Sequence, residues 1–356
     1  MLSGFFMEKI DQLISEKGYV LADGATGTNL FSMGLESGDP PELWNREFPD
    51  RIYLNHQNFI TAGSDLILTN TFGANKFRLA LHNAEDLVHE LNVAGAEIAH
   101  KAADRCERTV IVAGSIGPTG EIIEPLGELT KAEATSAFND QAIALKEGGV
   151  DVAWIESMYS EEEIECAITA SKEAGLPILL SSTFDSHGKS MMGHEPKQLV
   201  ELAERYSPEI IGYGANCGIG ASELIGSILC LAKSRNNQAM HLVAKANCGI
   251  PEYTDGEIIY NGTAEIMASY ACYARKLGAT IIGGCCGTKQ EHIKAMADAL
   301  EANEMDCPIE LDEIIKSLGE MTKGNMIMIE KYLNLGNSSK VSPVNPRRKR
   351  RRRSKN

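Results

Sequence analysis

Eight short apolar, β-branched runs recur along this chain, with room for one helix between each pair, and this alternation limits the possible folds more than any other feature. The runs are Tyr19 to Asp23, Asp65 to Asn70, Thr109 to Gly114, Val152 to Glu156, Pro177 to Thr183, Ile210 to Asn216, His241 to Asn247 and Thr280 to Gly283. Between them lie segments with helical periodicity, as where Ile52, His56, Phe59 and Ile60 share one face. Gly63, Gly149, Gly175 and Gly278 each stand one to three residues before a run, where a helix C-cap would feed a strand. Near-continuous apolar strands followed by helices predict a parallel sheet covered on its outer face. Eight such units in roughly 280 residues fit a single α/β barrel of the (β/α)8 TIM type better than a doubly wound sheet.

The barrel is expected over residues 1–305. A helical extension follows over 306–340, with one or two amphipathic helices between Pro308 and Leu335, and a disordered basic tail over 341–356. That tail holds Arg347 to Arg353, although the chain as a whole carries a net charge of −15. The body is therefore too acidic to be a nucleic-acid groove. Hydrophobic content of 43% and charged content of 23% are those of a soluble globular protein. No run approaches the roughly 20 apolar residues of a membrane span, and no export signal opens the chain, so the sequence reads as cytoplasmic. Nine cysteines in such a setting are read as reduced thiols and metal ligands before a disulfide framework.

In a barrel of this kind the active site gathers at the C-terminal ends of the strands. Polar and unusual residues collect there: Asp23 and Gly24, Thr69 and Asn70, Ser115 and Gly117, Glu156, Thr183, Asn216 and Cys217, Asn247, and Cys285 with Cys286. Cys217 closes the sixth run, and Gly283-Gly284-Cys285-Cys286-Gly287-Thr288 closes the eighth. On a closed ring these ends are near each other. Three thiolates suit a Zn2+ ion that keeps one position open, which is the catalytic pattern. Taken singly, the same cysteines also read as small buried hydrophobes or a redox pair. Cys248, next to Asn247, would close the site if it were a fourth ligand.

Leu21-Ala22-Asp23-Gly24-Ala25-Thr26-Gly27-Thr28, Thr69-Asn70-Thr71-Phe72, Ala113 to Thr119, Gly148-Gly149-Val150-Asp151 with Ile155-Glu156, Gly214-Ala215-Asn216-Cys217 and Gly283 to Thr288 occur in order from about residue 18 to about residue 302. Together this ordered set resembles the homocysteine S-methyltransferase family, most closely its betaine–homocysteine branch of bacterial type. The resemblance implies a zinc barrel that methylates homocysteine to methionine, with Cys217, Cys285 and Cys286 on the metal. It also implies that Asp23 and Glu156 hold the substrate's amino group. Gly24 and the strand end near Thr69 would hold its carboxylate, and Asn247 would sit by the metal. Trp44, in the first loop, matches an aromatic that contacts betaine in that branch. Gly73-Ala74-Asn75 and Ser157 stand where the branch places tyrosines, and Tyr53, Tyr159 or Tyr253 could supply aromatic faces instead.

The chemistry follows from the ligands. A thiol of pKa about 8.5 is mostly protonated at neutral pH and is a poor nucleophile beside its thiolate. Coordination removes that proton and orients the sulfur. A trithiolate site favours a cationic ammonium or sulfonium donor, betaine first, and needs no side chain as general acid or base. S-methylmethionine, dimethylsulfoniopropionate, methyltetrahydrofolate or a separate corrinoid protein remain alternative methyl sources. His187 and His194 read as rim residues, and Met321, Met326 and Met328 as packing or as the contact of a homo-oligomer.

Overall fold

Each of the eight runs forms a strand, and all eight are parallel. The computed structural model describes residues 2–185, 187–254, 257–302 and 310–334. The strands are β1 (Val20–Leu21), β2 (Leu66–Leu68), β3 (Ile111–Ile116), β4 (Val152–Met158), β5 (Ile178–Ser182), β6 (Ile210–Cys217), β7 (His241–Ala246) and β10 (Ile281–Gly284), with β8 (Pro251–Thr254) and β9 (Glu257–Tyr260) forming a separate antiparallel hairpin. The sheet order is β1-β10-β7-β6-β5-β4-β3-β2, and a parallel bridge between Ala22 and Leu66 joins its two ends into a ring. The expected TIM-type barrel is therefore the observed fold.

Strand alternation sorts the core into two layers. Val20, Leu66, Ile111, Val152, Leu179, Val243 and Ile281 point inward, and Ala22, Leu68, Ala113 and Trp154 fill the next inward level. The residues between them pack outward under the helices, as Leu21, Ile67, Val112 and Ala153 do. The four expected cap glycines take left-handed φ values of 117°, 93°, 72° and 96° at Gly63, Gly149, Gly175 and Gly278.

The helix Leu2–Lys17 lies across the N-terminal mouth, with Ile10 and Leu13 buried among the inward strand residues. Burying two such side chains stabilises this end by about 3–6 kcal/mol. Two further helices, Leu311–Leu318 and Lys323–Asn334, occupy the expected C-terminal extension. Asn325 donates to the Glu223 backbone oxygen at 2.9 Å and to its carboxylate at 2.6 Å, which fastens the last helix to Ala221–Ser234. Met321 and Met328 are buried in this packing. The basic tail from residue 341 lies outside the described residues. None of the described helices is long and apolar enough to cross a membrane.

Candidate active site

The alternation that fills the barrel with apolar side chains also builds the site. Two residues beyond the inward-facing Ala113, Trp154 and Val243 on their own strands come Ser115, Glu156 and Lys245, and Cys285 follows Ile281 by four. Cys217 breaks the pattern. Its φ of 61° is left-handed, an uncommon state for a residue with a side chain, and it turns the end of β6 toward β10. The Sγ atoms of Cys217, Cys285 and Cys286 all lie within 4.8 Å of one another, and Cys217 and Cys286 are 3.9 Å apart.

That spacing fits a shared cation. Bonds of about 2.3 Å from a tetrahedral ion to sulfur give sulfur–sulfur edges of about 3.8 Å. As bare thiols the three resist ionisation. Hydrogen bonding to Cys285 pulls the Cys217 thiol down, but that to Cys286, together with burial, lifts it to about 12. Cys286 is likewise lowered by Cys217 yet lifted by Cys285 and by burial, again to about 12. For Cys285 the bond to Cys217 is the chief cause of a strong upward shift. A shared cation would stabilise three adjacent, partly buried thiolates here. Cys248 is fully buried and donates to the Gly262 oxygen at 3.3 Å, apart from the trio, so among the described residues the group that could share a metal is Cys217, Cys285 and Cys286.

Backbone and amide contacts hold the cysteine turns. Cys286 N donates to Asn247 Oδ1 at 3.1 Å while Asn247 Nδ2 donates to the Gly218 oxygen, so one side chain ties both cysteine loops together. Cys285 N donates to the Ala246 oxygen at 2.6 Å. Gly287, at φ 75°, lies flat against the Tyr260 ring, and a Cβ there would collide with it. Tyr260, on the hairpin strand β9, thereby reaches Cys286; burial first, and then Cys286, raises its hydroxyl pKa.

A cavity of about 710 Å³ opens above the trio, lined among others by Gly24, Thr69, Ser115, Glu156, Lys245 and Asn247. Glu156 accepts from Ser115 Oγ at 2.5 Å, and burial is the main cause of its raised pKa. Thr69 lines the cavity but spends its hydroxyl on Ser115 N at 3.0 Å and on Thr71 at 2.6 Å. The Gly24 N–H makes no hydrogen bond among the described residues. Asp23 lies deeper. Its Oδ2 accepts from Leu68 N at 2.8 Å and its Oδ1 from Lys245 Nζ at 2.8 Å, so Lys245, and not Asp23, reaches the cavity wall.

The first loop places its aromatic differently from the expectation. Asn45 faces inward, donating to the Asn70 oxygen at 2.8 Å and accepting from Asn70 Nδ2 at 2.9 Å. Its neighbour Trp44 consequently faces away, buried with Leu30, Leu35 and Ile52, with the Arg51 guanidinium 4.8 Å above its ring. Trp44 does not line the cavity; Phe31, Phe72, Tyr159 and Tyr260 do. Tyr53 lies under Lys101 and Arg105 instead, and the Tyr253 side chain is outside the described residues. His187 packs against Gly324 of the last helix, and His194 borders a separate small cavity beside Ser190.

Lys245 and Tyr260 escaped the sequence reading. A lysine inside the apolar run His241 to Asn247 was the available signal for the first, and the Asp255-Gly256 pair between Tyr253-Thr254 and Ile258-Ile259, a sequence signature of hairpins, for the second.

Comparison with known proteins finds relatives in sequence and in fold. Methionine synthase of Mycobacterium tuberculosis is 27% identical over 300 residues, 79% of this chain and 24% of that protein. Methionine synthase of Mycobacterium leprae is 27% identical over 297 residues, with the same shares. The chain thus spans about a quarter of the length of these curated relatives. The metallated form of the homocysteine methyltransferase MmuM from Escherichia coli superposes with a TM-score of 0.68 at 23% identity, covering 82% of this chain and 99% of that one. Its apo form gives 0.63 at 21% identity, and at these identities the likeness concerns the fold. The family model for homocysteine S-methyltransferase matches residues 20–300, nearly all of the barrel, and the chain belongs to that family.

Proposed function

We propose that this protein is a zinc-dependent homocysteine S-methyltransferase that takes a methyl group from an onium donor, betaine first, and yields methionine. The observation that carries this reading is the trio of Cys217, Cys285 and Cys286 within 4.8 Å at two strand ends, facing a cavity that also holds Glu156. When bound by the three cysteines, zinc would supply a Lewis acid that keeps the substrate sulfur deprotonated.

The chain's own residues bind and orient. Glu156, raised but flanked by the positive Lys245, faces the cavity where an α-ammonium would neutralise it. The free Gly24 N–H suits a carboxylate oxygen. Asn247 fixes the two cysteine loops. The donor would lie above them, its onium against Phe31, Phe72 or Tyr159 in place of Trp44. In the transfer an S–C bond forms, the C–N bond of the donor breaks with its electron pair going to nitrogen, and no proton moves, so no side chain acts as acid or base.

A second reading is favoured by the length comparison. The matched stretch is a quarter of each methionine synthase, so the barrel could serve as the thiol-activating part of a system whose methyl donor is a separate corrinoid protein. Methionine formation from homocysteine with betaine, S-methylmethionine, dimethylsulfoniopropionate and methyltetrahydrofolate offered separately decides between them. Turnover with betaine supports the first reading. Turnover with none of the four until a methylated corrinoid protein is added supports the second.

A further inference from the structure

Lys245 combines burial, charge and unused hydrogen-bonding capacity in a way the proposed function does not explain. It is 2% exposed in a strand otherwise suited to apolar contacts, and lysines are almost never buried without a partner. Its Nζ donates to Asp23 Oδ1 at 2.8 Å and lies 5.5 Å from the centre of the Trp154 ring. An ammonium carries three donors. No second acceptor for Nζ is found among the described residues, so two of the three remain available on the wall of the cavity. Burial disfavours its charge, but Asp23, Glu156 and Cys285 outweigh that and raise its pKa, so it keeps its proton.

Its place in the register gives those donors a direction. Lys245 pairs with Asn216 on β6 and with Gly283 on β10, one residue below Cys217 and two below Cys285. Two residues along a strand are about 6.6 Å, a span that a thiol and a carboxylate on one short carbon chain can bridge. Trp154 closes the space beneath the ammonium and Asp23 closes one side, next to the free Gly24 N–H.

We propose that Lys245 determines substrate class by binding the α-carboxylate of the thiol substrate, between its Nζ and the Gly24 N–H, while Glu156 takes the amino group. This rests on the thiol-binding reading above. Asp23 is then a positioning residue that aims Lys245. The site is selective for thiols that carry an amino-acid head, and rejects an aminothiol that lacks the carboxylate because a buried ammonium would be left short of acceptors.

The test compares homocysteine with 3-aminopropane-1-thiol, which keeps the thiol and the amine and lacks the carboxylate. Binding of each to the zinc-loaded full-length protein is measured by calorimetry for the wild type, for Lys245→Met, and for Lys245→Met combined with Asp23→Asn. The wild type is expected to prefer homocysteine by about 10- to 100-fold, the range of a buried charge-assisted hydrogen bond. Both variants are expected to lose that preference while still binding 3-aminopropane-1-thiol as the wild type does. If the single variant fails to fold with Asp23 unpaired, the double variant, which buries no lone charge, decides the matter. Retained preference in the double variant overturns the proposal, as does a wild type that binds the two thiols equally. A wild type that binds neither thiol overturns the thiol-binding reading itself.

Discussion

At the N-terminal mouth of the barrel the buried Asp65 accepts the Leu21 amide at 3.1 Å and pairs with Lys17 at 2.6 Å and Arg108 at 2.9 Å. At the C-terminal mouth Asp23 does nearly the same, accepting the Leu68 amide and pairing with Lys245. The difference lies in the cations. Lys17 and Arg108 are partly exposed and finish their hydration in water, whereas Lys245 is buried and finishes in the cavity. A carboxylate that bridges neighbouring strands thus pairs with solvent-facing cations at one mouth and with a cavity-facing lysine at the other. The helix Leu2–Lys17 seals the first mouth, and the second is left to three thiols, Glu156 and an open cavity.

The sharpest way to break this contrast is Cys286→Ala. It should abolish metal retention, measured by elemental analysis, and lower methyl transfer by at least about 1,000-fold, as removal of a nucleophile-activating group does. An active metal-free variant would remove the chemical role of this mouth. At the other mouth, Ile10→Ala should cost about 2–5 kcal/mol in denaturant unfolding and leave kcat and KM of the folded protein unchanged. A changed KM there would mean that the two ends are coupled.

His56 allows a test by pH. It is fully buried, both ring nitrogens lack partners among the described residues, and burial lowers its pKa to about 4. The unfolded chain takes up this proton near pH 6.5 and the folded chain near 4, so the unfolded state binds more protons between those values. Stability should therefore fall by about 3 kcal/mol as pH drops from about 6.5 to about 4. His56→Leu should flatten that part of the stability profile in thermal melts, and an unchanged slope would place the titration elsewhere.

Smaller effects sharpen the contrast within the cavity. Glu156→Gln should raise KM for homocysteine about 10- to 100-fold with little loss of stability, since it removes a buried charge whose pKa burial already raises. In the wild type the same KM should rise as pH falls through that raised pKa and the carboxylate is lost. Phe72→Ala should raise KM for an onium donor about 2- to 30-fold and leave homocysteine binding alone. An effect on homocysteine instead would move Phe72 to the thiol side.

Much of this molecule is legible in its sequence because periodicity carries the physics. A strand period of two and the short apolar runs yield eight barrel strands, and Gly283 to Thr288 with Cys217 mark the ends that carry the thiols. What escaped depended on direction and partnership. Trp44 and Asn45 are adjacent, and which of them faces the cavity is decided by the amide pairing of Asn45 with Asn70, a contact that spacing does not reveal. Asp23 reads as a cavity acid until Lys245, 222 residues away, is seen to occupy it. The N-terminal helix was not anticipated either, because its inward face is made by the barrel floor it covers.

In the proposed function three cysteines at the C-terminal mouth would hold a zinc ion that makes homocysteine nucleophilic. Methionine formation from homocysteine and betaine should be assayed on one preparation as zinc-loaded, chelator-stripped and zinc-restored protein. About one zinc per chain, loss of turnover on stripping and recovery on restoration are expected. Undiminished turnover in the stripped protein, with zinc absent by elemental analysis, would contradict the proposed function.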